Sequence, residues 1–255
     1  MNTSISSSPT RIALVGYGSM GKELERLAPQ YGCAVQSIFT TKRPLTSATI
    51  QEQPFDVAID FSIPTTVLTN TRLLAENGKN IILGTTGWMQ HKSAIEEIIL
   101  SSNTALVWGT NFSVGVQIFN RVARVAAELA AQFDDYDIAI HELHHTRKLD
   151  SPSGTALSLA SIVQSAVQSK TTILGDTAHG RIAADALHVS STRVGETPGT
   201  HTLYLDAVPD TIEITHRARN RGGFAIGALR TARWIVGKQG MMEFSEVFEQ
   251  LHLRV

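Results

Sequence analysis

From residue 11 to 108, short apolar runs alternate with stretches of helical periodicity. The runs cover residues 12–15, 35–39, 57–61, 81–83 and 105–108, and helices fit between them over 20–28, 65–76 and 91–100, the second closed by Asn77-Gly78. This alternation predicts a parallel sheet with crossover helices, an α/β fold of Rossmann type. After Asn111 the texture changes. A long amphipathic segment repeats Phe119, Val122, Val125, Ala126 and Leu129 at helical spacing. Alternating stretches at Tyr136-Ile138-Ile140, Leu187-Val189, Leu203-Leu205-Ala207 and Ile212-Ile214 then predict a sheet with one covered face. The expected second domain is a smaller α+β unit with a mixed sheet. Residues 171–186 and 193–201 read as mobile connections, and a final helix over 224–236 returns to the first domain.

Composition narrows the classes. A chain of 255 residues that is 42% hydrophobic can bury one large core or two moderate ones. Its 22 basic and 23 acidic residues nearly cancel, so the whole molecule offers no attraction for nucleic acid or an anionic membrane, and any anionic ligand must be held by local charge. The single cysteine, Cys33, has no internal partner, fits a reducing compartment and reads as a small buried filler. The Ser-rich residues 1–10 lack an apolar core of signal type and read as a disordered tail. No apolar stretch is long enough to span a bilayer, and the expectation is a soluble, cytoplasmic protein.

Gly16-Tyr17-Gly18-Ser19-Met20-Gly21 follows the first apolar strand and opens a helix, which is the setting a dinucleotide pyrophosphate requires. Gly16 makes the turn, Gly18 lets backbone approach phosphate, and Gly21 packs helix against strand, while the helix N-terminus favours negative charge. The second strand ends at Phe39 and leads to Lys42 and Arg43, where an NAD-selective site usually carries an acid for the ribose hydroxyl. Two cations there favour the 2′-phosphate of NADP, so NADPH is the expected cofactor, with NADH possible. The competing view of Lys42 and Arg43 is a solvated turn.

The densest chemistry lies in residues 141–155, HELHHTRKLDSPSGT. Taken literally, His141-Glu142-x-x-His145 matches the HExxH zinc signature, which works only when one helical turn puts both imidazoles on one face. Residues 136–141 alternate like a strand and Pro152 follows closely, which argues against that geometry and against a metal. The other reading is a strand end, a loop, and a helix beginning near Pro152 with Ser151 as cap. The N–H groups of Ser153, Gly154 and Thr155 would then face a carboxylate. Lys148 adds a cation, and His144 and His145 add groups able to move protons near neutral pH.

The stretch Glu142-x-His144-His145-x-x-Lys148-x-Asp150-x-Pro152-Ser153-Gly154-Thr155-Ala156 resembles the signature of the 4-hydroxy-tetrahydrodipicolinate (dihydrodipicolinate) reductase family. Asp60-Phe61-Ser62, Gly84-Thr85-Thr86-Gly87, residues 111–116, Ile214-Thr215-His216-Arg217 and Arg221 agree in order, so the likeness covers the chain after its Ser-rich start. The resemblance implies NAD(P)H-dependent reduction of a cyclic imine dicarboxylate in lysine and diaminopimelate biosynthesis, by a protein commonly tetrameric. It also implies His144 as proton donor and Lys148 as a second catalytic or carboxylate-binding group. Substrate contacts would come from His145, Ser153, Gly154, Thr155 and Arg221. Phe61, Ser62, Gly84, Thr85, Thr86, Asn111 and Phe112 would line the cofactor. The implied organisation is a dinucleotide-binding domain of residues 11–113 plus 222–255 and a substrate-binding and oligomerisation domain of residues 114–221. Another two-domain dehydrogenase, or a non-catalytic NADP-sensing protein, is the alternative to that function.

Overall fold

The structure is a computed structural model and describes residues 8–251. Of the tail expected over residues 1–10, the first seven lie outside the described residues, and Thr10 already opens a strand. The chain divides into two compact units: residues up to Val114 together with those from Gly222 onward, and Gly115–Arg221.

In chain order the first unit begins with β1 (Thr10–Val15), α1 (Ser19–Leu27), β2 (Cys33–Phe39), the single-turn α2 (Ser47–Gln51) and β3 (Val57–Asp60). It continues through α3 (Val67–Glu76), β4 (Asn80–Leu83), α4 (Lys92–Ser102) and β5 (Ala105–Trp108). The second unit holds α5 (Val114–Ala130), β6 (Asp137–His144), α6 (Gly154–Ala166), β7 (Thr172–Leu174), β8 (Ala186–Arg193), β9 (Thr200–Asp206) and β10 (Thr211–Arg217). The chain then re-enters the first unit as α7 (Gly222–Trp234), β11 (Gly240–Glu243) and α8 (Phe244–Val247).

The first sheet has the order β11-β5-β4-β3-β1-β2 and is parallel throughout. Alternation along each strand divides its side chains between two cores. Ile12, Leu14, Ile59 and Val107 pack with Leu24 and Leu27 of α1 and with Ala225, Ala228 and Leu229 of α7. Ala13, Val15, Ala58 and Leu106 pack with Val67 and Leu74 of α3 and Ile95 and Ile99 of α4. Helices thus cover both faces, as a parallel sheet requires. Strand β11 carries no β-branched residue and was not expected from the pattern. It forms because β5 offers it a parallel edge from Gly240–Ala105 to Glu243–Trp108. Cys33 is buried, and burial pushes its thiol up to about 12, so it stays an inert filler.

The second sheet is mixed, in the order β10-β9-β6-β8-β7, with β6 antiparallel to β9 and parallel to β8. Ile138, Ile140, Leu187, Val189, Leu203 and Leu205 form its covered face against α5 and α6. Residues 171–186 are not wholly loop, because Thr172–Leu174 adds an edge strand to β8. The long amphipathic segment forms α5. Its side towards the second sheet carries Phe119, Ala123, Ala127 and Ala130, and the three alanines let the helix pack close to that sheet. Val122, Val125 and Leu129, which repeat at helical spacing, are each about half exposed, as is Ile118.

Candidate active site

In the first unit the chain passes from β1 out to β2 on one side and then to β3 on the other, so β1 and β3 flank the switch point where ligands of such sheets bind. Gly16 leaves β1 with φ of +89°, and a Cβ there would lie 2.5 Å from the carbonyl oxygen of Phe61 beyond β3. Only glycine lets those two loops meet. A Cβ on Gly21 would meet the carbonyl oxygen of Gly16 at 2.6 Å, which fixes the helix against the turn. Gly18 faces open space and caps α1 with no side chain on the helix N-terminus, and no acid occupies the first turn. These features fit a pyrophosphate: room beside the backbone, available N–H groups and no competing anion. Ser19 and Met20 form the first turn of α1, and the Tyr17 hydroxyl is held by Glu25.

The other cofactor candidates gather around Asp60 at the end of β3. Its Oδ1 accepts from the Ser62 N–H (2.8 Å) and the Thr85 hydroxyl (3.0 Å), and its Oδ2 from the Asn70 amide (3.0 Å). Its carbonyl oxygen accepts from the N–H groups of Gly84 (2.9 Å) and Thr85 (3.2 Å), so one residue ties the loops after β3 and β4 together. Burial raises the Asp60 carboxyl above its usual range, and the three donors oppose that shift only in part. The Phe61 ring occupies the space a Cβ on Gly84 would need, at 2.2 Å, and meets Phe112 edge-on at 6.3 Å. Asn111 Oδ1 accepts from the Ser113 N–H at 2.9 Å, and Thr86 is exposed next to buried Thr85. The Lys42-Arg43 turn is closed by paired backbone bonds between Thr40 and Arg43. Arg43 is held by Glu52 (2.6 Å) and lies over Phe39, whereas Lys42 is exposed.

In the second unit the covered face of β6 runs Ile138, Ile140, Glu142, His144, apolar at one end and polar at the other. The segment is a strand, so the helical geometry of the zinc signature is not formed: His141 points to Ser190 (2.9 Å), and the His145 N–H donates to the Thr197 carbonyl (2.8 Å). Register then builds the centre. Parallel pairing sets Glu142 opposite Ser191 and His144 opposite Arg193, and antiparallel pairing sets Glu142 opposite His201. The Glu142 side chain is fully buried, and its Oε1 accepts from the Ser153 N–H (3.0 Å), the Ser191 hydroxyl (2.8 Å) and Arg193 Nη2 (3.0 Å). Its Oε2 has no hydrogen-bond partner and faces His144 Nδ1 at 3.4 Å and His201 Nε2 at 3.5 Å. Burial alone would raise the Glu142 carboxyl, but His201, Ser153, Ser191 and Arg193 outweigh it and hold the group well below the usual range. His144 is lowered to about 4, first by burial and further by His201, Lys148 and Arg193, with Glu142 opposing them.

The start of α6 differs from expectation. Ser153, not Ser151, is the cap: its Oγ accepts from the Ala156 N–H (3.2 Å), and Pro152 precedes the helix after a cis peptide bond. The Ser153 N–H is not free, because Glu142 holds it, and the Gly154 N–H leans towards Asp150 Oδ2 at 3.4 Å. Asp150 also receives Lys148 Nζ on Oδ1 at 2.6 Å, so a carboxylate of the chain lies on two groups expected to hold one. Thr155 is in the first turn of α6. Gly199, just ahead of β9, has its α-carbon against His144: an added Cβ would be 3.0 Å from Nε2. Arg221 is exposed beyond β10 and is not among the residues hydrogen-bonded to this cluster. Sequence reasoning did not single out Asp60, Arg193, Gly199 or His201, and passed over Glu142 except as a motif letter. Pairing register, invisible in one sequence, is what brings Arg193 and His201 to Glu142 and His144.

Family models described as "Dihydrodipicolinate reductase, N-terminus" and "Dihydrodipicolinate reductase, C-terminus" match residues 10–112 and 115–248. The chain is 33% identical over 243 residues to the 4-hydroxy-tetrahydrodipicolinate reductase of Christiangramia forsetii, covering 94% of this chain and 98% of that one. With the reductase of the same name from Haloarcula marismortui it shares 35% over 209 residues, 80% of each. Among solved structures, the dipicolinate-bound dihydrodipicolinate reductase from Paenisporosarcina sp. TG-14 has the same fold. The TM-score is 0.77 at 19% identity, over 94% of this chain and 99% of that one.

Proposed function

The chain belongs to the dihydrodipicolinate reductase family of oxidoreductases, and on that premise we propose that it reduces the cyclic imine dicarboxylate derived from 4-hydroxy-tetrahydrodipicolinate to tetrahydrodipicolinate, with NADPH as the preferred reductant. The observation that carries the residue assignments is the concentration of His144, Lys148, Ser153 and Gly154 around one strand end and one helix start. A small dianion is the ligand such a set of donors suits. The rival readings, another two-domain dehydrogenase or an NADP sensor, account for the glycine loop but not for this second centre.

Gly16, Gly18, Ser19, Met20 and Gly21 hold the pyrophosphate, and Phe61, Ser62, Gly84, Thr85, Thr86, Asn111 and Phe112 form the nicotinamide end of the cofactor groove. Lys42 is the cation available to a 2′-phosphate, with Arg43 shared with Glu52. The reduced nicotinamide, when bound, supplies a hydride. Lys148 and the N–H groups at the start of α6 take the substrate carboxylates, displacing Asp150, with His145, Thr155 and Arg221 as further contacts. His144 is neutral before substrate arrives, first because it is buried and then because Lys148 and Arg193 lie near it. A dianion brought beside it favours the imidazolium, so a proton is taken up with the substrate and then given from Nε2 to the ring carbon next to the one reduced. The exposed stripe of Ile118, Val122, Val125 and Leu129 on α5 supports homotetramer assembly as part of this reading.

The test is a nicotinamide absorbance assay on the substrate with NADPH and with NADH. His144→Ala and Lys148→Ala should each lower kcat by about 100-fold or more, with NADPH affinity little changed. An unchanged kcat in both variants removes the two assignments, and no turnover by the wild-type protein removes the activity.

A further inference from the structure

We propose that Glu142 is the positioning residue of the substrate site: its Oε2 holds the Nδ1–H of His144, so that Nε2 presents the proton, while its Oε1 secures the first turn of α6. This rests on the role given to His144 above. Oε1 is filled by three donors, so what remains of the carboxylate's accepting capacity points at the imidazoles. A fully buried, ionised oxygen left without a donor is costly, and His144 Nδ1, 3.4 Å away, is itself buried with no hydrogen-bond partner. Each orphan is the other's nearest remedy. His201 does not displace His144 from this arrangement, because its Nε2 already meets the Ser153 hydroxyl at 3.2 Å.

With Nδ1–H on Glu142, the other nitrogen is the one at the Gly199 backbone, where the absence of a side chain leaves it room. Protonation of that nitrogen gives an imidazolium whose second charge partner is already in place. The same carboxylate also reaches eleven residues along the chain to the Ser153 N–H, so the donor and the anion-binding helix start share one anchor. Arg193, bonded to Oε1 and to the Asp150 carbonyl (2.7 Å), adds a positive charge to the donors that keep Glu142 ionised and ties the loop carrying Lys148 to the same point.

Glu142→Gln keeps the shape and the Oε1 acceptor but turns an amide N–H₂ towards Nδ1. The amide donates where the carboxylate accepted, which forces the Nε2–H tautomer and disfavours the imidazolium; a wrong tautomer of this kind is severe in other enzymes. Nitrogen-15 NMR of the histidine rings, with His144 assigned by its loss in His144→Asn, reads the tautomer directly. The wild-type protein should show Nδ1–H at neutral pH and Glu142→Gln should show Nε2–H. The same variant should lose about 100-fold in kcat with NADPH Kd within twofold. A wild-type His144 in the Nε2–H form overturns the proposal even if the variant does not fold. So does a variant whose kcat stays within threefold, or one whose NADPH affinity falls as far as its kcat. The tautomer is read without turnover: an inactive wild-type protein sinks the functional reading, whereas an active one with the wrong tautomer sinks only this proposal.

Discussion

Asp60 and Glu142 are both carboxylates buried near a strand end, each gathering three donors and each tying together the loops around it. They differ in the charge of those donors. Asp60 is met by a backbone N–H, a hydroxyl and an amide, all neutral, and burial raises its carboxyl. Glu142 is met by a backbone N–H, a hydroxyl and a guanidinium, with two imidazoles facing its other oxygen, and is held below the usual range. The lesson is that equal hydrogen-bond counts do not give equal outcomes: contacts from His201 and Arg193, added to neutral donors, hold Glu142 ionised, where Asp60 has neutral donors alone. The centre around Asp60 is built from neutral donors alone, whereas the centre around Glu142 includes a guanidinium.

The sharpest way to break this contrast is to remove the cation. Arg193→Met should cost about 3–5 kcal/mol in urea unfolding, because it strands a charge inside the second unit. A loss below 1 kcal/mol would mean the guanidinium is not what keeps Glu142 ionised. Acid titration sharpens the contrast next. His144 sits at about 4 when folded and near its ordinary 6.5 when unfolded, so the unfolded chain binds the extra proton between those values. Its contribution is complete above pH 6.5 and is lost as pH falls towards 4, by up to about 3 kcal/mol. Urea midpoints measured across that window should fall with acid in the wild-type protein and fall less in His144→Asn. Asp60 has the opposite sign: its folded carboxyl is raised, so its stabilising contribution is greatest in acid and declines as pH rises through the folded value. The smallest effect follows from that. Asp60→Asn should change stability at pH 7 by no more than about 1 kcal/mol, in the favourable direction if either, and the difference should shrink in acid. A loss of several kcal/mol would show that Asp60 depends on its charge as Glu142 does.

Much of the first unit was legible because its signals are local. The run into Gly16 predicts a strand, the glycines predict the turn, and the following periodicity predicts α1, all within a few residues. The sheet's sixth strand was not, since Gly240-Met241-Met242-Glu243 has no strand preference of its own and takes its conformation from β5. For α5 the periodicity predicts the helix but not which face is buried, because an alanine face can bury more closely than a valine and leucine face. The second centre was half visible. Adjacent His, Lys and Ser-Gly-Thr letters mark a candidate site, and alternation along β6 puts Glu142 and His144 on one face. What Glu142 does there depends on Ser153 and on residues 49 to 59 positions away, the latter brought in by pairing with β8 and β9. The misplaced cap has the same origin: Ser151 and Ser153 look alike in a sequence, and Glu142 decides between them by accepting the Ser153 N–H.

The return of the chain through α7 and β11 governs the order in which the protein can be finished during synthesis. The second unit is contiguous and is complete once Arg221 has been made. The first unit must wait for Ala225, Ala228 and Leu229 to cover one sheet face and for Gly240–Glu243 to supply the last edge. The half begun first on the ribosome is therefore the half closed last, and until its C-terminal pieces emerge it carries an apolar face that a chaperone would recognise.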